Sequence, residues 1–333
     1  MKIKRETKDV NKSYNEYCVS DRWKQYRSPQ YHEYRRKWVE NPKNMIVDNF
    51  PIHMDIEITN YCNLLCTMCP RTVQIKEGTF GKLQHIDLDL FKRLITEGSE
   101  NGLCSVKLNY LGEPLMHPNV IEMVKFCKDK GIIDVIFNTN AVLLDEKMSN
   151  GLLDAGIDGL FISFDSNDKE KYESIRIGAK YDKVVENVKQ FSEIRNSNEN
   201  YWKTQIRVSK VLFPEETDQD ISAFIDMWKD KVDAVGFGTL MDDNSEIEYS
   251  SSYRCDQPWQ RMFVRQDGVA FPCCRDYRKS YVVGDVNREN VKDIWQNDFY
   301  KRLRDAHATG RYNQIDICKN CTYICASSVS FEK

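Results

Sequence analysis

Along most of the chain, short apolar runs alternate with longer amphipathic stretches. The runs of strand character are DIEIT (55–59), CSVKLNY (104–110), DVIFNT (134–139), GLFISF (159–164), QIRVSKVLF (205–213) and DAVGFGTL (233–240). They are rich in β-branched and aromatic residues, either alternating or continuous, as half-buried and fully buried strands are. Between them lie DLDLFKRLITEGSE, NVIEMVKFCKDKG, DEKMSNGLLDAG, YDKVVENVKQFSEIR and DISAFIDMWKDK, with apolar residues at helical spacing. Several of these stop at a glycine, a normal helix end. Alternating strand and helix predicts parallel βαβ units with right-handed crossovers. Six units predict an α/β fold, a partial (β/α)6 barrel two units short of closure, with a flat doubly wound sheet as the competing topology.

The flanks break this rhythm. Residues 1–50 are polar and aromatic and read as an N-terminal extension of one or two short helices packed outside the main fold. Residues 51–240 hold the barrel. The stretch MDDNSEIEYSSSY (241–253) is acidic, serine-rich and unpatterned, as a linker is. Beyond it, within a small cysteine-rich α+β domain spanning 241–333, QRMFVRQDGVAFPCC predicts a hairpin turning at Asp267-Gly268. NVKDIWQNDFYKRLRDAHATG predicts one helix, and the chain ends in CKNCTYICASS and a few further residues.

Composition narrows the function. With 333 residues and 41% hydrophobic content the chain can bury a substantial core. A formal net charge of −3 disfavours general nucleic-acid binding, which needs surplus Lys and Arg. The first 20 residues contain no apolar run and no stretch approaches a membrane span, so a cytoplasmic protein without a membrane partner is expected. Twelve cysteines, most of them grouped at 62–69 and 255–325, suggest metal or cluster ligation rather than disulfides.

The first group, ITNYCNLLCTMCPR, directly succeeds the first predicted strand. C-x-x-x-C-x-x-C brings Cys62, Cys66 and Cys69 onto one tight loop. Three thiolates can hold three irons of a 4Fe–4S cube and leave the fourth open to a small molecule. Zinc is the alternative, with His53 or His85 as the fourth ligand that a structural site requires.

Taken with the strand ends and turns C-terminal to it, this motif resembles the radical S-adenosylmethionine (SAM) superfamily, from about residue 51 to 325. The resemblance implies reductive cleavage of SAM at the open iron to a 5′-deoxyadenosyl radical, fed by an external one-electron reductant such as flavodoxin or ferredoxin. Met68 occupies the place of the family's usual aromatic residue near adenine. In YLGEPLMHP, Gly112 and Glu113 match the family's turn that receives the SAM amino group. Asn138 and Asn140, after the third strand, either contact SAM or substrate or cap the strand end. Ser163 matches a frequent contact to the SAM carboxylate, and Asp165 points to the same mouth. On the fifth strand Arg207 and Ser209 share one face and Lys210 takes the other. Arg207, Lys210 and Asp165 are the candidate catalytic groups.

The second group, with CDQPW, VRQDGVAFPCC, VGD and DIW before CKNC, resembles the C-terminal extension called SPASM, or its shorter relative twitch. That implies one auxiliary 4Fe–4S cluster on Cys255, Cys273, Cys318 and Cys321, with Cys274 or Cys325 able to replace one of them. A zinc ribbon is the alternative. The expected reaction is hydrogen abstraction from a small-molecule substrate (a sugar, aminosugar or polyol) by an oxidoreductase of dehydrogenase or epimerase type. In the second case Cys104, Cys127, Cys274 or Cys325 would return the hydrogen. Peptide or protein maturation by the same chemistry, and a non-catalytic zinc-binding scaffold, are the other readings.

Overall fold

The structure, a computed structural model, describes residues 2–6, 14–240, 253–278, 281–319, 321 and 328–332. Residues 241–252 of the linker expected at 241–253, and Cys325, lie outside the described residues. The strands are β1 (Lys2–Glu6), β2 (Tyr14–Cys18), β3 (His53–Ile56), β4 (Ser105–Lys107), β5 (Asp134–Thr139), β6 (Gly159–Ser163), β7 (Gln205–Leu212), β8 (Ala234–Thr239), β9 (Arg261–Val264), β10 (Val269–Phe271), β11 (Gly284–Asp285) and β12 (Ser328–Glu332). The helices are α1 (Pro29–Asn44), α2 (Pro70–Glu77), α3 (Leu88–Glu100), α4 (Val120–Asp129), α5 (Glu146–Asp154), α6 (Lys169–Ile175), α7 (Tyr181–Ser197), α8 (Asp218–Trp228), α9 (Val291–Trp295), α10 (Asp298–Ala308) and α11 (Asp316–Lys319).

Strands β3 to β8 pair in chain order and in parallel, the six units of a partial barrel. Several helices between them begin on side-chain caps. Asp87 accepts from the Leu90 N–H before α3, Asp145 from Met148 before α5, and Thr217 forms a capping box with Asp220 before α8.

Strand alternation sorts the side chains. Met54, Ile56, Val106, Leu108, Val135, Phe137, Leu160, Ile162, Ile206, Val208, Val235 and Phe237 join one continuous core. Each such burial stabilises the fold by about 1.5–3 kcal/mol. The opposite face carries His53, Lys107, Asp134, Asn138, Gln205 and Arg207, which line a lumen. Apolar side chains fill the interior of a closed eight-stranded barrel; here polar ones surround an open space.

Three features differ from the sequence expectation. The N-terminal extension is not wholly helical. β2 adds antiparallel to β8, Glu16 opposite Gly236, and β1 pairs with β12. These pairings depend on partners more than 200 residues away, which local pattern cannot reveal. The C-terminal hairpin does turn at Asp267-Gly268, but its first strand, β9, runs parallel to β3 and extends the barrel sheet, giving the order β11-β10-β9-β3-β4-β5-β6-β7-β8-β2. Finally, the single helix expected within 290–310 is two. Asn297 accepts from the Tyr300 N–H and starts α10 afresh after α9 ends.

The extension closes the N-terminal end of the barrel. Arg27, buried, meets Asp134 at 3.0 Å and Asp158 at 3.1 Å, and Trp23, Tyr31, Tyr34 and Ile52 pack into a satellite core. No helix among the described residues is long and apolar enough to cross a membrane.

Candidate active site

Cys62, Cys66, Met68 and Cys69 line a cavity of about 740 Å³ at the C-terminal end of the strands, together with Gly112, Glu113, Asn138, Asn140 and Ser163. The loop bearing the thiols is held by backbone bonds from Leu65 N–H to Ile177 O at 3.0 Å, Thr67 N–H to Ile175 O at 3.0 Å and Cys69 N–H to Cys66 O at 3.2 Å. Burial pushes the Cys62 thiol above its ordinary value and Cys66 up to about 11, with the Arg176 guanidinium pulling Cys66 back. Iron would supply the missing positive charge, since a metal-bound thiol loses its proton.

The Gly-Glu turn is locked against this loop. The Leu111 N–H donates to Glu57 Oε1 at 2.9 Å, and the Glu113 N–H to Tyr61 O at 2.8 Å. A Cβ on Gly112 would sit 2.0 Å from the Thr59 carbonyl oxygen, so glycine is needed for backbone to meet backbone. The buried Glu113 carboxylate accepts from Thr139 Oγ1 at 2.6 Å, Asn140 N at 2.7 Å and Leu115 N at 3.2 Å. Burial raises its pKa, and these three donors oppose the rise. A carboxylate oxygen can accept more than one bond, so a further donor can still be received.

Asn140 does two jobs. Its Oδ1 accepts from the Val142 N–H at 3.0 Å, the capping role, while its Nδ2 donates to Asn63 Oδ1 at 2.8 Å, on the thiol-bearing loop. Asn138 differs. Its N–H donates to Asn109 Oδ1 at 2.7 Å, but its own Oδ1 is buried without a partner beside the cavity. An orphaned acceptor there fits a ligand that brings a donor. Three thiols on one wall, an oriented carboxylate and this acceptor suit a cluster with SAM bound to it. His53 and His85 do not border this cavity. His53 meets Ser105 Oγ and Asp55, and His85 packs tilted against Tyr61 and edge-on against His117.

The catalytic candidates separate. Asp165 is fully buried, accepts from the Val211 N–H at 2.9 Å and pairs with Arg176 at 2.7 Å. Arg176 in turn points Nη1 at Cys66 Sγ, 3.9 Å away. Burial works against the Arg176 charge, and Asp165 and Cys66 hold it. Arg176 escaped the sequence reading because it comes after the short α6, which no apolar period marks. Lys210 is corrected outright. It turns away from the lumen into the helix layer, where Glu216 takes its ammonium. A buried charge needs a partner, and the outer face supplies it. Arg207 does face the lumen, stacked over Phe161 at 3.8 Å and 3.3 Å from Glu16 of β2.

Arg207 borders a second cavity, of about 1020 Å³, between the strands, the N-terminal segment and the C-terminal part, which contributes Tyr253, Cys255 and Arg261. Lys107 and Asn138 border both cavities. Tyr253 and Tyr312 pack with Cys255, Cys318 and Cys321, and the Cys321 N–H donates to Cys318 O at 3.2 Å. Burial pushes Cys255 up to about 12 and Cys318 higher. A thiol hydrogen bond from Cys274, then burial, raises Cys273. Cys273 also feels the charges of Cys255 and Cys321. Gln257 Nε2 stands 3.8 Å from the Cys274 sulfur, and the Cys274 charge reaches Lys107. The thiols of Cys104 and Cys127 border neither cavity; Cys127 is buried in the core on α4.

Comparison with known proteins agrees with this architecture. A family model described as the radical SAM superfamily matches residues 56–227, and one described as an iron–sulfur cluster-binding domain, SPASM, matches residues 255–322. The chain is 28% identical over 277 residues to a GTP 3′,8-cyclase of Limosilactobacillus fermentum, covering 81% of this chain and 74% of that one. It is 22% identical over 273 residues to an S-adenosyl-L-methionine-dependent 2-deoxy-scyllo-inosamine dehydrogenase of Niallia circulans, covering 81% and 92%. Solved structures of the same fold include BtrN in complex with AdoMet and 2-DOIA, with a TM-score of 0.56, 20% identity, and coverage of 83% of this chain and 94% of that one. Another is SuiB of Streptococcus suis bound to the precursor peptide SuiA, at 0.59, 17%, 83% and 72%. The chain belongs to the radical SAM superfamily and carries a SPASM iron–sulfur cluster-binding domain, so that 4Fe–4S clusters and S-adenosylmethionine are its cofactors.

Proposed function

We propose that this radical SAM enzyme oxidises or epimerises a small polar molecule, a sugar, aminosugar or polyol, held in the barrel lumen. The observation that carries the reading is the polar lumen between the two cysteine sets, bordered by Lys107 and Asn138 at its junction. A ligand there can reach the SAM-side cavity and the neighbourhood of Cys255 without leaving the protein.

In this reading Cys62, Cys66 and Cys69 hold the first cluster, and Cys255, Cys273, Cys318 and Cys321 the auxiliary one. When bound, the first cluster and SAM supply a 5′-deoxyadenosyl radical that removes hydrogen from an unactivated C–H bond. The chain's own residues orient and shield that chemistry. Glu113 receives the SAM amino group, Asn138 offers its unpartnered oxygen, Ser163 meets the carboxylate and Met68 packs on the adenine. Arg176, held by Asp165, fixes the Cys66 side of the site. Tyr277 and Arg278 wall the cavity from the C-terminal part; Gln74 Nε2 donates to Tyr277 O at 3.0 Å, and Arg278 meets Glu77 at 2.9 Å. Arg207 faces the substrate, while Lys210 serves the fold. Electrons come from an external one-electron reductant such as flavodoxin or ferredoxin.

The test is release of 5′-deoxyadenosine by anaerobically reconstituted protein offered panels of sugars, aminosugars, polyols and peptides. A burst dependent on a sugar or polyol supports the reading. A burst with peptides alone replaces it by peptide maturation. Iron near eight per chain accompanies two loaded clusters. Zinc without iron, together with no SAM turnover, would end the enzymatic reading.

A further inference from the structure

Lys107 is not a candidate in the sequence, yet its setting separates it from many interior cations among the described residues. It stands on the lumen face of β4 and borders both cavities. Many interior cations among the described residues are given acceptors. Arg27 has Asp134 and Asp158, Lys128 has Asp158 at 2.5 Å, Arg195 has Asp233 at 3.2 Å, and Lys210 has Glu216. Arg71 and Arg304 donate to the carbonyls of Asn60 and Pro258. Among the described residues no hydrogen bond or ion pair reaches the Lys107 ammonium. Its register neighbour on β3 is Asp55, which is already engaged by His53 at 3.3 Å and Arg261 at 3.5 Å.

The surroundings make that isolation costly. Burial pushes the Lys107 amine below its ordinary pKa. Asp55 and Cys274 oppose this, and the Arg261 and Arg207 charges add to it. The lumen wall sets Lys107, Arg207 and Arg261 among Glu16, Asp134 and Asp256, with Glu16 already paired to Arg207 and Asp134 to Arg27, and Trp38 and Phe161 give it flat apolar surface. An anion entering there would meet an ammonium that no hydrogen bond or ion pair among the described residues engages directly, with Asp55 and Cys274 as its charged neighbours, in a partly desolvated site where such a pair is strengthened.

We propose that Lys107 binds an anionic group of the substrate, a phosphate or a carboxylate, so that the enzyme acts on an acidic small molecule anchored at the junction of the two cavities. This rests on the small-molecule reading above and narrows it. Lys107 selects the substrate by charge.

Equilibrium dialysis of the anaerobic holoenzyme against radiolabelled glucose 6-phosphate, glucuronate and glucose tests it. The wild-type protein should bind at least one of the acidic sugars ten times or more tighter than glucose, and which one it prefers separates phosphate from carboxylate. Lys107→Met should lose that preference while keeping its iron content; Lys107→Arg should keep the preference. Equal binding of acidic and neutral sugars, no binding of either acidic sugar, or a preference that survives in Lys107→Met overturns the proposal. Should Lys107→Met not fold, the wild-type comparison and Lys107→Gln decide it. Neutral polyols that trigger 5′-deoxyadenosine release without any preference for acid would sink the anion site and leave the small-molecule reading standing. Acid-selective binding with a burst from peptides alone would do the reverse.

Discussion

Replacing Gly112 by alanine should disable the SAM site through backbone geometry alone. The added carbon would lie 2.0 Å from the Thr59 carbonyl oxygen, 2.7 Å from its carbon and 2.9 Å from the Asn60 Cα. All three are main-chain atoms, so no side chain can swing aside. Reaching even a 3.0 Å contact requires the two loops to part by about 1 Å. They cannot part freely, because hydrogen bonds flank the contact on both sides, from Leu111 to Glu57 and from Glu113 to Tyr61. Overpacking of this kind costs about 1–3 kcal/mol. Losing the bond to the Glu57 carboxylate would add about 1.5 kcal/mol. The catalytic effect should be larger than the loss of stability suggests, since a misplacement of about 1 Å can cost roughly a hundredfold in rate. Gly112→Ala should therefore fold with a lower melting temperature, keep its iron, and release 5′-deoxyadenosine about a hundred times more slowly. Anaerobic single-turnover assays with dithionite, alongside iron counts and thermal melts, make the measurement. A variant that cleaves SAM at the wild-type rate would refute the view that this backbone contact positions Glu113.

Other residues make separate predictions. Lys210→Met should leave Glu216 buried without its nearest cation and cost about 3 kcal/mol in urea unfolding, with SAM cleavage intact; adding Glu216→Leu should recover most of the loss. Cys273→Ala should halve the iron from about eight to about four per chain, whereas Cys274→Ala should leave it unchanged, as colorimetric iron assays can read. His117 is held neutral, its pKa lowered to about 4 by burial and by His85. The unfolded ring takes a proton near 6.5 and the folded one does not until about pH 4. Its contribution is thus full above about pH 6.5 and is lost as pH falls towards 4, by about 2–3 kcal/mol. His117→Asn, which can keep an acceptor for the Asn119 N–H, should flatten the fall in unfolding midpoint between pH 7 and pH 4.5.

The legible parts of this molecule were those written in local pattern. The runs at 134–139, 159–164 and 205–213 announce β5, β6 and β7, and the alternation along β7 already set Lys210 on the face opposite Arg207. Cysteine spacing alone marks both groups. What escaped depends on partners distant in the chain. YNEYC has no apolar alternation, and it is a strand because the edge of β8 was open to it. Asp165 reads as a free carboxylate at a strand end until Arg176 arrives from the end of α6 to take it. Lys107 is one more polar residue in CSVKLNY, and only the fold shows that no hydrogen bond or ion pair among the described residues engages it. The break between α9 and α10 was present in the sequence as Asn297, a good cap, but the apolar positions around it run on at helical spacing and hid the interruption.

The ladder that joins β9 to β3 has a mechanical consequence. Met54 faces Met262 and Ile56 faces Val264 across hydrogen-bonded backbone, with the first thiol loop leaving one strand and the hairpin to Cys273 continuing the other. The two redox neighbourhoods are thereby rooted in one stiff plate instead of two bodies on a hinge. Tunnelling between them would proceed over a fixed span, so its rate should be indifferent to solvent viscosity, unlike that of enzymes whose electron carriers swing between docking positions.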